Sequence, residues 1–158
     1  MGALAADVRD RGFDSVRGTY VRSYGSKELD AALLVLPLLQ FEETGSARVR
    51  GTIDAIWREL GAGGPLVFRY PPGSDGLQGQ EGAFMPCSFW LVQALAGTGR
   101  VEEAHVLFDQ LRARSNDLGL YAEEMDPLTG AHLGNFPQAL THAALVQAAL
   151  ALEGATQG

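Results

Sequence analysis

Aromatic rings, arginines and carboxylates are concentrated in three separate segments of the chain. They are Tyr20, Arg22, Tyr24, Lys27, Glu28 and Asp30 in the first segment, Arg69, Tyr70, Glu81 and Phe84 in the second, and Glu123, Glu124 and Asp126 in the third. Sugars stack on aromatic rings, and their hydroxyl groups form hydrogen bonds with charged side chains. This mixture of side chains therefore favours a carbohydrate site, provided that the three segments converge in the fold.

The carboxylates of the third segment have a simpler interpretation when they are considered alone. Glu123 and Glu124 are then a solvated charge pair beyond a helix end. Asp126 stands in the sequence DPLTG, which is typical of a turn. A role in catalysis needs a further argument from the fold or from a known pattern.

The histidines and the cysteine do not form a pattern that indicates chemistry. His105 falls in an amphipathic helical segment, and His132 and His142 fall on different elements, so no metal-ligand spacing is present. Cys87 lies in an apolar segment without a basic neighbour, and we expect it to behave as a small hydrophobic residue.

Composition limits the class of protein. A chain of 158 residues that is 46% hydrophobic can bury one core, so we expect a single domain over residues 1–158. The 19 acidic residues outnumber the 12 basic ones, and this balance argues against a nucleic-acid partner. The lone cysteine and the lack of a signal-peptide pattern predict a cytoplasmic protein. The apolar run over 29–39 is too short to cross a membrane.

Six segments carry helical periodicity, and they alternate between two kinds. The segments at 3–11, 47–60 and 101–114 are amphipathic, which predicts helices with one side in water. The segments at 27–39, 82–96 and 137–152 are apolar or small on almost every side, which predicts helices enclosed by protein.

The connections predict how these helices are arranged. Short links at 41–46 and 97–100 lead from an apolar helix to the next amphipathic one, whereas long segments at 12–26, 61–81 and 115–136 lead back. If successive helices run antiparallel, all three long segments emerge at one end, where we expect the site. Three hairpins with an inner and an outer layer predict an all-α fold that is half of an (α/α)6 barrel. A tetratricopeptide-like array fits less well, because its repeats are about 34 residues long with short turns.

Three long phrases carry a resemblance to a known family. They are GFDSVRGTYVRSYGSKELDAALLVLPLL, EGAFMPCSFWLVQALAGTGRVEEA and NDLGLYAEEMDPLTGAHLGNFPQALTHAALVQAA. Together they resemble the C-terminal half of the catalytic domain of glycoside hydrolase family 15, which includes glucoamylases, glucodextranases and bacterial trehalases. The resemblance covers about residues 5–152. It implies an (α/α)6 barrel that hydrolyses α-linked glucosides with inversion, without a metal or an organic cofactor.

The same resemblance implies roles for individual residues. The family's general base falls on Glu123, in the segment Ala-Glu-Glu. An inverting glycosidase needs such a carboxylate to remove a proton from the attacking water. The resemblance also implies substrate binding, and the residues concerned are Arg69, Phe84, Glu81, Lys27, Glu28 and Asp30. For Glu81, a role that only favours the start of the following helix is an equal alternative.

The family's general acid has no counterpart in this sequence. We therefore expect the chain alone to be inactive, with the N-terminal half of the barrel or a second copy of the chain as its partner. The substrate expected from the resemblance is trehalose or a malto- or isomalto-oligosaccharide. The alternative is a non-catalytic helical module that binds sugar or assembles through its open edges. In either case the apolar helices at 27–39 and 137–152 lie near the ends of the array and expose apolar surface.

Overall fold

The computed structural model describes residues 2–73 and 81–156, so part of the second long segment, 74–80, lies outside the described residues. The helices are α1 (Gly2–Arg11), α2 (Val35–Leu38), α3 (Ala47–Leu60), α4 (Met85–Gly97), α5 (Val101–Arg112) and α6 (Ala139–Thr156), with a 3₁₀ helix at Ala31–Leu34. The strands are β1 (Phe13–Asp14), β2 (Thr19–Tyr20), β3 (Gly61–Gly63), β4 (Leu66–Val67), β5 (Ala83–Phe84), β6 (Glu124–Met125) and β7 (His132–Leu133). The predicted all-α class is confirmed.

The bounds of α3 follow from local chemistry. The hydroxyl of Ser46 accepts a hydrogen bond from the backbone N–H of Val49 at 3.2 Å, which caps the first turn. The helix stops at Gly61, where a side chain would collide with the carbonyl oxygen of Trp57. Six of the 14 residues of α3 are buried, as expected for an amphipathic helix with one side in water.

The helix α4 lies at the centre of the fold. It packs against α5 and α6, and also against α2, α3 and the 3₁₀ helix. Eleven of its 13 residues are buried, and Phe89 is fully buried between the rings of Phe108 and Tyr121. The main hydrophobic core therefore forms around α4, whose N-terminus carries the strand β5.

The predicted helix at 27–39 is shorter than the sequence pattern indicates, and it is broken. Residues 27–30 are not helical, and the chain then forms the 3₁₀ helix followed by α2. Asp30 has an extended backbone, with φ −132° and ψ 127°, and its carboxylate accepts a hydrogen bond from Ala32 N–H at 2.7 Å. This side chain caps the first turn, so the helix begins after Asp30 rather than at residue 27.

The first long segment departs from the expected geometry. The guanidinium of Arg48, in the first turn of α3, donates to the carbonyl oxygen of Arg9 at 2.8 Å and lies 4.4 Å from the ring centroid of Phe13. The end of α1 therefore lies beside the beginning of α3, near the short connection. From there the segment runs along α3, where Tyr20 N–H donates to the hydroxyl of Thr52 at 3.0 Å. Only its later part reaches the end where the other long segments meet.

The helix α6 exposes one apolar side. Its buried residues are Thr141, Ala144, Ala148 and Leu152, which is four of 18. Leu140, Val146 and Leu150 are 46%, 56% and 60% exposed. The expectation of exposed apolar surface near the end of the array is confirmed for this helix. No helix within the described ranges is long and apolar enough to span a membrane.

Candidate active site

A three-stranded antiparallel sheet joins the second and third long segments. The central strand β6 pairs with β5 on one side and with β7 on the other. In this register Glu124 lies opposite Phe84 and Leu133. The sheet therefore holds the carboxylate-rich segment against the N-terminus of α4, the best-buried helix of the fold.

Glu123, the residue before β6, is held by hydrogen bonds at both its backbone N–H and its backbone carbonyl group. Its N–H donates to the carbonyl oxygen of Asn135 at 2.9 Å, and its carbonyl oxygen accepts from Met85 N–H at 3.0 Å. The Oε2 atom accepts two more hydrogen bonds, from the side-chain amide of Asn135 at 2.8 Å and from its backbone N–H at 3.1 Å. The side chain is partly exposed, so the carboxylate is both anchored and open to solvent.

Glu124 lies against a different part of the chain. A methyl group added at Gly82 would meet the Cβ of Glu124 at 2.8 Å and its Oε2 at 2.9 Å. Glu123 has the corresponding close contact with Gly134. The two neighbouring carboxylates therefore face different surroundings, as alternation along an extended segment requires.

Arg69 and Asp30 connect the first and second long segments. The Nε atom of Arg69 donates to Oδ1 of Asp30 at 2.8 Å, and the carbonyl oxygen of Arg69 accepts from Ala31 N–H at 3.0 Å. Burial alone would lower the pKa of the Arg69 guanidinium, but the hydrogen bond and the charge of Asp30 outweigh this and raise it. The guanidinium also lies 6.0 Å from the ring centroid of Phe84, which places a cation beside the aromatic residue that precedes α4.

The other predicted binding residues are Lys27, Glu28 and Glu81. Lys27 and Glu28 are exposed, and Glu28 accepts a hydrogen bond from Arg22 at 3.0 Å. Arg22 in turn lies 5.1 Å from the ring centroid of Tyr70, so the pair borders the Arg69 segment. Glu81 accepts a hydrogen bond from Gly73 N–H at 3.4 Å, next to residues that the structure does not describe.

The structure thus brings together Asp30, Arg69 and Phe84, and it joins them to Glu123 through the N-terminus of α4. Gly134 and Asn135 had no predicted role, although both lie in the third family phrase, in LGNFPQ. A glycine followed by an amide residue near the end of a predicted loop is a weak signal, because it is also typical of any turn.

Asp126 has the turn role that its sequence predicts. Its Oδ1 atom accepts hydrogen bonds from the backbone N–H groups of Leu128 and Thr129 at 2.8 and 3.2 Å. These bonds lower the pKa of the Asp126 carboxyl, with the Leu128 bond as the largest cause. The side chain organises the turn between β6 and β7.

The surroundings of His132, His142 and Cys87 indicate structural roles. The ring of His132 contacts the carbonyl oxygen of Arg114 at 3.0 Å, and that of His142 contacts the carbonyl oxygen of Gln138 at 2.7 Å. Cys87 is fully buried, and burial raises the pKa of its thiol. No group of three or more potential metal-binding side chains occurs within 2–73 and 81–156.

Comparison with known proteins identifies the family of this chain. Residues 3–150 match the family model described as glycosyl hydrolases family 15. The trehalase of Mycobacterium tuberculosis (strain ATCC 25618 / H37Rv) is 48% identical over 147 residues, which are 92% of this chain and 21% of that protein. The trehalase of Thermoplasma volcanium is 41% identical over 152 residues, which are 96% of this chain and 24% of that protein. The chain thus spans about a fifth to a quarter of the length of these relatives.

The fold also has counterparts among solved structures. A wild-type glycosidase superimposes with a TM-score of 0.80 and 18% sequence identity, over 96% of this chain and 43% of that one. A glutamate-to-alanine variant of a glycosidase in complex with glucose gives the same values. At this identity the likeness concerns the fold alone. Since the family model matches nearly the whole chain, this chain belongs to glycosyl hydrolase family 15.

Proposed function

We propose that this chain contributes the general base of an inverting α-glucoside hydrolase, and that Glu123 is this base. The observation that carries the proposal is the anchoring of Glu123 beside the Arg69, Asp30 and Phe84 group, with one oxygen engaged by Asn135. Within 2–73 and 81–156, the other oxygen, Oε1, accepts no hydrogen bond. It is therefore available to a water molecule.

The chemistry assigned to Glu123 is proton removal. Water attacks the anomeric carbon and forms a new C–O bond, while its proton passes to the carboxylate of Glu123. The glycosidic C–O bond breaks on the opposite side of the sugar, and the leaving oxygen takes a proton from a second carboxylic acid. In an inverting enzyme the two carboxyl groups lie about 6.5–9.5 Å apart, which leaves room for the water. We assign the acid to a part of the family's barrel that this chain does not contain.

Arg69 and Phe84 are the proposed sugar-binding residues of this chain. The guanidinium has further N–H donors beyond those it gives to Asp30, and these suit sugar hydroxyls. The partly exposed ring of Phe84 offers a surface on which a sugar face can stack. Asp30 holds Arg69 in place, since its carboxylate lies 2.8 Å from Nε.

The substrate we propose is trehalose, because the curated relatives at 41–48% identity are trehalases. Each half of trehalose is an α-linked glucoside, so the chemistry above applies to it. The chain by itself should show no measurable hydrolysis, because the leaving oxygen cannot be protonated without the acid. A chimera supplies the missing part: residues 3–150 of this chain replace the matching segment of the Mycobacterium tuberculosis trehalase.

In this chimera, Glu123→Gln should lower kcat by roughly 10²–10⁴-fold, the usual contribution of a general base. Glu124→Gln is the matched control, because it removes the same charge one residue away, and it should have a much smaller effect. Glu123→Ala should regain turnover when azide is added, because azide is a nucleophile that needs no base. The product should be the β-glucosyl azide, which inversion requires. An inactive Glu124→Gln variant beside an active Glu123→Gln variant would move the base to Glu124.

A further inference from the structure

Asn135 makes a reciprocal set of hydrogen bonds with Glu123. Its side-chain amide and its backbone N–H both donate to Oε2, at 2.8 and 3.1 Å. In return, the N–H of Glu123 donates to the carbonyl oxygen of Asn135 at 2.9 Å. Two donors on a single carboxylate oxygen fix both the position and the plane of the group, and hydrogen bonds to an ionised acceptor are stronger than neutral ones.

Gly134 allows this approach. Its φ is +70°, in the region that favours glycine, and a methyl group there would lie 2.9 Å from Oε2 and 3.1 Å from Cβ of Glu123. The backbone before Asn135 is thus in direct contact with the Glu123 side chain. A larger residue at 134 would have to displace the carboxylate or the turn.

We infer that Gly134 and Asn135 are positioning residues for the proposed base, and that they determine which oxygen reacts. Because Asn135 occupies Oε2, Oε1 is the oxygen that takes the proton from water. The inference rests on the proposed function of Glu123. The hydrogen bonds themselves can be tested separately, in the chain as it stands.

The first experiment follows the Asn135 amide signals of the 158-residue chain by NMR. The positions of these signals at neutral pH report the hydrogen bonds that Asn135 donates to Oε2 of Glu123. Glu123→Gln replaces the carboxylate with a neutral amide and should shift the signals, whereas Glu124→Gln should leave them nearly unchanged. If Glu123→Gln leaves the signals in place, Asn135 does not hold this carboxylate and the inference is overturned. Circular dichroism of each variant confirms that the fold persists.

The second experiment measures turnover in the chimera. Asn135→Ala should lower kcat by roughly 10²-fold, the cost of a small misplacement of a reacting group, and should leave KM nearly unchanged. In the azide-rescued Glu123→Ala background the same change should have almost no further effect, because no base remains to be positioned. A loss of similar size in both backgrounds would show a general structural role and overturn the inference. A Glu123→Ala variant that azide does not rescue would instead count against Glu123 as the base, and the NMR result would still stand.

Gly134→Ala provides a second variant, with Gly130→Ala as its control. Both glycines have positive φ, +70° and +73°, so alanine introduces similar backbone strain at each. Only a methyl group at 134 meets Glu123, whereas nothing lies within 4 Å of one at 130. Gly134→Ala should therefore lower kcat much more than Gly130→Ala. Equal losses would assign the effect to backbone strain and contradict the positioning role.

Discussion

The helices α4 and α6 have the same kind of sequence but different surroundings. Both consist mainly of apolar and small residues, and the sequence predicts that both are enclosed by protein. The structure buries eleven of the 13 residues of α4 but only four of the 18 residues of α6. The exposed side of α6 carries Leu140, Val146 and Leu150.

This difference shows that an apolar pattern predicts a helix that needs to be buried, whereas the neighbouring elements of the chain decide whether it is buried. An all-round apolar helix needs neighbours on every side, and α4 obtains them from α2, α3, α5 and α6. Within the described residues α6 has only α4 and α5 as its main helical neighbours. Its remaining side is suited to protein outside this chain, as the proposed role of part of a barrel requires.

The largest expected effect is a difference in unfolding free energy between two side-chain truncations, one in α4 and one in α6. Phe89→Ala in α4 removes a fully buried ring that packs on Phe108 and Tyr121, and it should lower the free energy of unfolding by about 3–5 kcal/mol. Leu150→Ala in α6, at a side chain 60% exposed, should change it by less than about 0.5 kcal/mol. Urea titration followed by circular dichroism measures both. Comparable losses of unfolding free energy in the two variants would mean that α6 is buried to the same extent as α4.

The second effect concerns association. The exposed side of α6 should make the chain self-associate at micromolar concentration. The double variant Val146→Glu with Leu150→Lys places a favourable i, i+4 ion pair on that side. It should raise the concentration needed for association at least tenfold, or about 1.4 kcal/mol.

Sedimentation velocity provides the measurement for this variant. Val106→Glu is the matched control, because Val106 is similarly exposed, at 57%, but lies on the outer helix α5. It should leave association almost unchanged. A wild-type chain that remains monomeric at these concentrations would contradict the role assigned to the α6 surface.

The smallest expected effect is on the pH dependence of the unfolding free energy, through an ion pair at the amphipathic helix α5. Hydrogen bonds from Arg100 lower the pKa of Glu103 in α5. A carboxyl whose pKa is lowered by folding stabilises the protein above its unfolded pKa, and this contribution is lost as the pH falls through the folded pKa. Glu103→Gln should therefore cost at most about 1 kcal/mol at neutral pH, because the pair is on the surface.

The same variant should also be less sensitive to acid, with a smaller fall in unfolding free energy below about pH 4.3, the ordinary value for glutamate. Glu102→Gln removes the same charge from the adjacent position and serves as the control. Urea titrations at neutral and acidic pH measure the effect. If both variants keep the same acid dependence as the parent chain, the Arg100 pair does not contribute to it.

Local sequence patterns predicted several helices well. The helix α3 has the predicted bounds because Ser46 and Gly61 act on immediate neighbours. The segment at 27–39 was predicted less well, since the side chain of Asp30 caps the backbone and also pairs with distant Arg69. The short sheet of β5, β6 and β7 was not predicted, because two-residue strands carry no detectable periodicity.

By itself the sequence determined the fold class and the family, and it predicted Glu123 as the base, since helical periodicity and the family phrases are local features of the chain. Only the tertiary structure decided that Asp30 pairs with Arg69, that Glu123 and Glu124 face different surroundings, and that Asn135 holds Oε2. These contacts depend on the directions of side chains in irregular segments and on the close approach of the backbone at Gly134. No periodic pattern encodes such directions, because turns and pairings between distant residues set them.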